Sequence, residues 1–535
     1  MATQTATELQ ILEPTITMPA SASSKSYWPP TELGAPLTGP TPHQEVATAS
    51  LLPKGRAVIV ITQVTGLAFF SSFCNGIVVV ALPAMQSALG LQEGLLVWAT
   101  SSYYLTAGSC LLLAGSVADA AGNKRVNLVG SFLGAIFALA CGLAQTGGQI
   151  IAFRALQGVA NAIITPSSIS IISSSVEEGR PRNMGFACMG FGLPLGFCFG
   201  LVLGGVFTDT VGWRPAFYFA AAASFALFLL SIWALPEDSR PQGSQSIWKR
   251  AILEIDWVGI LLASLGLATL SYVLASLSSD ISNIHKASSI ALLVISGLSI
   301  PAFAGWMHRQ AKNSRTALIP NSLWRSHVFT SCCVMVLLTN ALTNCMELYS
   351  SLFFQEVQGT SALGASLRVL PSLIAGALTN IITGILVNRM PVFWTVLISS
   401  AMSTVAPLLM ALIRTDQVYW ENAFFAQILT PISCDLLFTV GLLIISEIFP
   451  KNMQALSGAV FNTCAQLGTA IGLSVTQVIA SSVTNKYSYS NNNSPGALMA
   501  GYRVAFWTMW GWMVFVCLVC VVGLRRVGGI GVKRD

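Results

Sequence analysis

Charged residues are scarce in this chain. Lys, Arg, Asp and Glu together make up 9% of its 535 residues, whereas 54% are hydrophobic. A soluble globular protein carries roughly 25% charged residues, so the composition excludes an ordinary soluble fold. The few charges lie in short clusters between apolar runs of about 20 residues, the length of a helix that crosses a bilayer. We therefore predict an all-α polytopic membrane protein.

Signals for catalysis and for metal binding are also lacking. The four histidines fall in tails and loops, and the twelve cysteines lie mostly inside apolar runs. The sequence shows no paired Cys-x-x-Cys at zinc spacing, no Ser/His/Asp set and no phosphate-binding glycine loop. We expect no metal, no cofactor and no disulfide framework, and we expect a transporter in preference to an enzyme or a non-transporting receptor.

Length and apolarity predict about fourteen membrane-spanning helices. Their expected ranges are 57–82, 96–117, 126–144, 149–172, 183–207, 215–235, 257–277, 288–306, 328–352, 362–387, 392–413, 420–446, 455–480 and 504–524. Lys and Arg are concentrated in the connections that share a side with the N-terminus, which favours a cytoplasmic location for both termini. The net charge of +6 then reports topology and not nucleic-acid binding.

The connection between the second and third predicted spans reads Gly115-Ser-Val-Ala-Asp119-Ala-Ala-Gly122-Asn-Lys124-Arg125. Its glycines permit a tight turn and a close approach of helices. The stretch resembles the signature loop of the major facilitator superfamily, Gly-x-Leu-Ala-Asp-Arg-x-Gly-Arg-Lys, although alanine replaces the family's first arginine. The resemblance implies a part in conformational change, and the alternative is an ordinary basic inside loop.

An arginine lies inside the fourth predicted span, in Arg154-Ala-Leu-Gln157-Gly158. A charge within the membrane costs about 2.5–3.5 kcal/mol on insertion scales and usually faces a cavity or a partner. The stretch resembles a superfamily motif that is associated with proton coupling. The alternative is that Arg154 lies near the outer interface and extends its side chain to the surface.

The fifth predicted span carries a glycine at every fourth position. The glycines concerned are Gly192, Gly196, Gly200 and Gly204, with Gly205 beside the last. Such spacing lets two membrane helices touch closely, and the following stretch from Asp209 to Arg214 resembles the loop after the antiporter motif of drug:proton antiporters. The proline of that motif is missing here, so the alternative is a helix-packing face without a link to antiport.

The first span, from Phe73 to Pro83, resembles Leu-Asp-x-Thr-Ile-Val-Asn-Val-Ala-Leu-Pro of fourteen-span drug:proton antiporters, with Cys74 in place of the aspartate. A buried thiol carries protons poorly, so coupling must use another group. The candidates are Asp435, mid-span beside a proline, and Glu347, towards the outer third of the ninth span. Either residue is alternatively a structural polar group.

Together these stretches resemble the fungal fourteen-span drug:proton antiporter branch of the major facilitator superfamily, over roughly residues 50–525. The resemblance implies two six-helix halves that rock about a midplane site, plus two extra helices. The expected segments are a disordered cytoplasmic tail 1–52, a first half 53–235, a cytoplasmic linker 236–256, two additional helices 257–306, a second half 307–524 and a cytoplasmic tail 525–535. Asn492 has the form of a glycosylation acceptor.

A cavity for an amphipathic organic molecule needs aromatic and apolar walls with a few polar anchors. Candidates are Tyr103, Tyr104, Asn161, Asn340, Asn344, Tyr349, Asn462 and Gln466. By resemblance we expect a secondary active transporter, most simply a proton-coupled exporter of a drug, toxin or secondary metabolite. The alternative is a carrier of a small inorganic solute such as ammonium or borate. We expect a monomer whose partners are its substrate, protons and the lipid bilayer, and we expect no nucleic-acid partner. The expected location is the plasma membrane, or alternatively the vacuolar membrane.

Overall fold

The computed structural model describes residues 52–91, 95–177, 179–237, 256–279, 281–313, 319, 321–386, 390–449, 451–491 and 495–525. Several sequence predictions fall outside these residues. They are the tail up to residue 51, the linker over 238–255, the glycosylation candidate Asn492 and the tail over 526–535.

Besides two short 3₁₀ helices, Ile281–His285 and Asn321–Arg325, the described part of the chain consists mainly of fourteen long α-helices. They are α1 (Lys54–Leu89), α2 (Trp98–Ala121), α3 (Asn123–Leu143), α4 (Gly147–Ser175), α5 (Arg180–Thr210), α6 (Arg214–Ala234), α7 (Trp257–Ser279), α8 (Ala287–Lys312), α9 (His327–Leu352), α10 (Ala362–Leu386), α11 (Val392–Ala411), α12 (Ala423–Ile448), α13 (Lys451–Asn491) and α14 (Pro495–Gly523). A π-helical turn, Phe353–Val357, continues α9. Among the described residues there is no β-strand, and the predicted all-α polytopic architecture is confirmed.

Thirteen of these described helices are long and apolar enough to cross a membrane, and α2 is the exception. The beginning of α2 carries Thr100, Ser101, Ser102 and Tyr103, all of which are buried. These polar side chains lower the mean hydropathy of α2. They are tolerated because they face the protein interior, where α2 packs against α4 and α13. Several helices are longer than predicted, since hydropathy marks only the apolar core whereas backbone hydrogen bonding continues beyond it. Thus α13 covers 451–491, and its predicted range was 455–480.

The helices form two halves with the same packing pattern. In the first half, α1 packs against α5 and α6, α2 against α4, and α3 against α4 and α6. In the second half, α9 packs against α13 and α14, α10 against α12, and α11 against α12 and α14. Each contact recurs eight helices later, so the halves are structural repeats. The halves meet through α2 with α13 and through α5 with α10, and the extra pair α7 and α8 packs through α7 against α13 and α2.

The glycines of α5 bring its backbone against that of α1. An added methyl group at Gly196 or Gly200 would collide with the backbone carbonyl of Phe69 or Phe73 on α1. The second half repeats this arrangement, because a methyl group at Gly468 of α13 would collide with the backbone of α9. The four-residue spacing thus builds a close helix pair within one half.

Candidate functional site

A cavity of about 340 Å³ lies between the two halves. Helices α1, α2, α4 and α5 of the first half and α9, α10, α12 and α13 of the second line it. On α1 the lining runs from Val64 to Asn75. The cavity therefore occupies the middle of the bundle and the side where α1 begins, which we call the Lys54 end, whereas the Leu89 end is the opposite side.

Nearly all of the side chains predicted to line a substrate cavity share this one space. The residues that do so are Tyr103, Tyr104, Asn161, Asn340, Asn344, Asn462 and Gln466. Tyr349 does not belong to the lining. It is fully buried within the second half, where its hydroxyl donates a hydrogen bond of 3.2 Å to Oε1 of Gln477.

Both predicted proton-coupling carboxyl groups line the same cavity, on its second-half wall. Glu347 of α9 is 7% exposed, and none of the described residues donates a hydrogen bond to it. Asp435 of α12 is more open and lies against Gly376 of α10. The nearby hydroxyl of Ser372 is buried without a hydrogen-bond partner among the described residues. The second-half wall is therefore acidic, and part of its polar surface is unsatisfied.

The first-half wall is neutral and internally hydrogen-bonded. The hydroxyls of Ser71 and Tyr103 lie 2.7 Å apart, and Ser71 donates its one proton to Oδ1 of Asn161 at 2.9 Å. Tyr103 is therefore the donor of the bond to Ser71. The rings of Tyr103 and Tyr104 meet edge to face with 5.2 Å between their centroids. Ser71, Tyr103 and Asn161 therefore satisfy one another without a ligand.

Arg154 lies behind that wall and is fully buried. Its guanidinium donates to the carbonyl of Ala99 at 3.1 Å, to Oε1 of Gln157 and to Oδ1 of Asn75. It also lies 4.5 Å from the centroid of the Tyr103 ring. Asn75 and Tyr103 line the cavity and Arg154 does not, so its side chain neither extends to the surface nor meets the cavity directly.

Gly158 and Asn75 are the two residues that connect Arg154 and its helix to the cavity wall. Gly158 lets α4 approach α2, because an added methyl group would collide with the carbonyl of Tyr103. Asn75, which sequence reasoning did not single out, bridges the arginine and the cavity. The available signal was an amide within an otherwise apolar span.

The signature loop lies at the Lys54 end, between α2 and α3. Gly122 alone separates the two helices and has a φ of 101°, which only glycine adopts readily. Gly115 approaches Pro166 of α4, with 3.8 Å from its ideal Cβ position to Cβ of the proline. Lys124 and Arg125 fall in the first turn of α3, and the side chain of Asp119 is outside the described set.

Hydrogen bonds join the two halves at the Leu89 end. The Asp209 carboxylate, at the end of α5, accepts from the backbone N–H groups of Ala362 at 3.1 Å and Leu363 at 2.9 Å. Ser366 of α10 donates to the carbonyl of Leu201 at 2.8 Å, beside Gly205, whose missing side chain leaves room for α10. Ser351 of α9 and Gln355 of the π-helical turn also donate to backbone carbonyls of α1. We call these contacts together the Leu89-end seal.

Comparisons with known proteins agree with this architecture. The sequence profile of the Major Facilitator Superfamily matches residues 64–418. The chain is 38% identical over 525 residues to MFS-type transporter 1 of Pyricularia oryzae. This alignment covers 90% of this chain and 85% of that protein. It is 27% identical to the low affinity ammonium transporter of Saccharomyces cerevisiae, over 77% of this chain and 78% of that protein. It is 25% identical to efflux pump terG of Aspergillus terreus, over 85% and 83%.

The fold is also similar to a solved transporter structure. The crystal structure of the POT family transporter PepTSo superposes with a TM-score of 0.63 at 15% identity, over 89% of this chain and 98% of that chain. At this identity the likeness concerns the fold alone. With a profile that matches most of the first eleven helices and a relative at 38% identity, this chain belongs to the major facilitator superfamily of membrane transporters.

Proposed function

We propose that this protein is a proton-coupled exporter of a small organic compound that works by alternating access. The observation that carries the proposal is the cavity between two repeated halves, which Glu347 and Asp435 both line. Transporters of this architecture rock their halves around such a site, so that it faces one side of the membrane at a time. The similarity to an efflux pump at 25% identity supports the direction of transport.

The Lys54 end is assigned to the cytoplasm in this proposal. Connections at that end are basic, with Lys54, Lys124, Arg125 and Arg180 at the starts of helices, and basic connections stay inside. Both termini, their tails and the linker after α6 would then be cytoplasmic. With the cavity on this side and the seal at the other, the proposal makes this conformation an inward-facing state. The proposed location is the plasma membrane, or alternatively the vacuolar membrane.

Glu347 and Asp435 are the proposed proton carriers. An ionised carboxyl group is costly inside a membrane protein, and proton binding removes that cost. Cys74, at the position of the antiporters' aspartate, is buried and is not needed for this role. Arg154 acts on the cavity only through Asn75 and Tyr103, so we assign it a positioning role.

Export from yeast tests the proposal. Cells that express the chain are loaded with a panel of fluorescent and toxic organic compounds, with and without a protonophore. We expect export to collapse with the protonophore and in Asp435→Asn, at equal surface abundance. Glu421→Gln is the matched control, because Glu421 is an exposed carboxylate away from the cavity. Export that continues unchanged in the presence of the protonophore would contradict proton coupling.

A carrier of a small inorganic solute is the second candidate. The similarity to an ammonium transporter at 27% identity and the replacement of the antiporters' aspartate by Cys74 favour it. In the same yeast experiment this function predicts altered sensitivity to ammonium or borate while no organic compound moves. Such a result would replace the exporter proposal.

A further inference from the structure

The cavity has an uneven distribution of charge. Its two carboxyl groups, Glu347 and Asp435, both come from the second half. Among the described lining residues there is no Lys, Arg or His, and the positive charge of Arg154 is held behind Asn75 by neutral partners. A ligand in this cavity therefore meets negative charge on one wall and neutral polar and aromatic groups on the other.

We infer that the substrate is a small organic cation, a protonated amine or a quaternary ammonium compound, whose positive group binds between Glu347, Asp435 and Ser372. This inference rests on the proposed function and deepens it by naming the chemical class of the substrate. The apolar part of the molecule would lie against Tyr104 and the first-half wall.

The unsatisfied groups of the second-half wall support this class. Only 7% of the Glu347 surface is exposed, and none of the described residues donates a hydrogen bond to its carboxyl group. A buried carboxylate without a partner is strongly disfavoured, whereas a bound cation supplies both charge and donors. The buried hydroxyl of Ser372 lacks a partner as well and can accept from an amine N–H. These are the groups that a protonated amine satisfies.

The same carboxyl groups give a physical basis for exchange. A cation and a proton each neutralise the ionised form, so they compete for Glu347 and Asp435. Release of the cation on one side of the membrane then permits protonation of the carboxyl groups. The bound proton compensates their charge while the empty cavity reorients to the other side. An anion would bring a like charge against both carboxylates, which opposes binding in a cavity that is partly shielded from water.

The size of the cavity favours an organic cation over a bare ammonium ion. The cavity volume is about 340 Å³, whereas an ammonium ion is close in size to a water molecule, whose share of liquid volume is about 30 Å³. The edge-to-face pair of Tyr103 and Tyr104 offers an aromatic surface that a small inorganic ion does not need. Aromatic faces also attract organic cations directly.

A series of ligands with one ring and different charges tests the inference. The probes are benzylamine, benzyltrimethylammonium, benzyl alcohol and benzoate, and binding to the purified full chain in lipid nanodiscs is measured by equilibrium dialysis at pH 7. We expect both cations to bind at least about tenfold more tightly than the alcohol, a difference of about 1.4 kcal/mol. Benzoate should show no saturable binding.

Three variants locate the binding groups. Glu347→Gln and Asp435→Asn should each reduce the preference for cations, and Glu421→Gln, outside the cavity, should keep it. Ser372→Ala should weaken benzylamine binding by about two- to tenfold and leave benzyltrimethylammonium unaffected, because a quaternary ammonium has no N–H to donate. The thermal unfolding midpoint of each variant shows that it is folded.

Several results would overturn the inference: binding of the alcohol or of benzoate as tightly as the cations, cation binding that both carboxyl variants retain, or no cation binding by the folded wild-type chain. The yeast experiment answers a separate question. Proton-dependent export of neutral or anionic compounds alone would leave the proposed function standing and the inference wrong. Carboxylate-dependent cation binding without proton-dependent export would do the reverse.

Discussion

The hydroxyl of Ser351, at the end of α9, donates a hydrogen bond of 3.3 Å to the backbone carbonyl of Val79 in α1. Pro83 lies four residues after Val79 and has no N–H, so this carbonyl lacks its donor within the helix. Gln355 of the π-helical turn donates to the neighbouring carbonyl of Val80 at 3.1 Å. Pro83 thus leaves a backbone carbonyl of the first half free to accept a hydrogen bond from the second half. The Leu89-end seal is built partly from backbone groups.

Removal of the Ser351 hydroxyl should weaken this seal. A hydrogen bond of this kind contributes about 0.5–1.5 kcal/mol, so Ser351→Ala should shift the equilibrium towards opening at the Leu89 end by about two- to tenfold. Val211 and Val418 are exposed positions in different halves at that end. Each is replaced by a noncanonical amino acid that carries a spin label, and the distribution of distances between the two labels is measured. Ser174→Ala, an exposed serine at the Lys54 end, should leave the distribution unchanged. An unchanged distribution in Ser351→Ala would contradict this account of the seal.

Asp209 should contribute to the same equilibrium by capping α10. Its carboxylate accepts the first N–H groups of that helix, and a cap of this type contributes about 0.5–2 kcal/mol, towards the lower value here because Asp209 is exposed. We expect Asp209→Ala to open the Leu89 end more than Asp209→Asn, whose amide oxygen still accepts one bond. The difference should shrink at high salt because the helix dipole is screened.

The same pair of labels measures this effect. Asp416→Asn, an exposed carboxylate in the second half at the same end, is the control for a general effect of charge. If Asp209→Ala and Asp416→Asn shift the distances equally, surface charge and not the cap determines the seal.

The close pairing of α1 and α5 should tolerate no added methyl group at its centre. Gly200→Ala forces a collision with the backbone of Phe73, and overpacking of this kind costs about 1–3 kcal/mol. Gly190→Ala lies on the same helix but has open space around it, so it should be neutral or slightly stabilising. Thermal unfolding midpoints in one detergent compare the two. Equal midpoints for both variants would show that the pair adapts.

The sequence predicted the helices and much of the cavity for one physical reason. The membrane interior admits few polar residues, so those that occur inside spans, such as Glu347, Asp435 and Asn161, are candidates for a shared interior surface. The glycine spacing of α5 likewise predicted a close helix contact. The contact partner was not predictable from the spacing, since any neighbouring helix could have filled that face.

Long-range partners were the main omission. Asp209 caps a helix that begins 153 residues later, and no local pattern indicates such a pair. Asn75 is an amide in an otherwise apolar span, but no sequence pattern pairs it with Arg154, which α4 brings against it only in the fold. Tyr349 was placed in the cavity because helical position alone does not say which face points inward, and in the structure it bonds within its own half.

Three hydrogen bonds and one ring contact of Arg154 depend on the flat shape of its guanidinium. A lysine keeps the charge but cannot reach Ala99, Gln157 and Asn75 together. Since a hydrogen bond to a charged group contributes about 1.5–3 kcal/mol, we expect Arg154→Lys to lower ligand affinity by about tenfold or more through loosened Asn75 and Tyr103. Arg214→Lys is the matched control, because Arg214 also donates to a backbone carbonyl and lies over an aromatic ring but is outside the cavity.

If Arg154 acts through Asn75, then Asn75→Ala should lower ligand affinity similarly, and the double variant should be no worse than either single one. Fully additive losses of affinity would show that the two residues act independently.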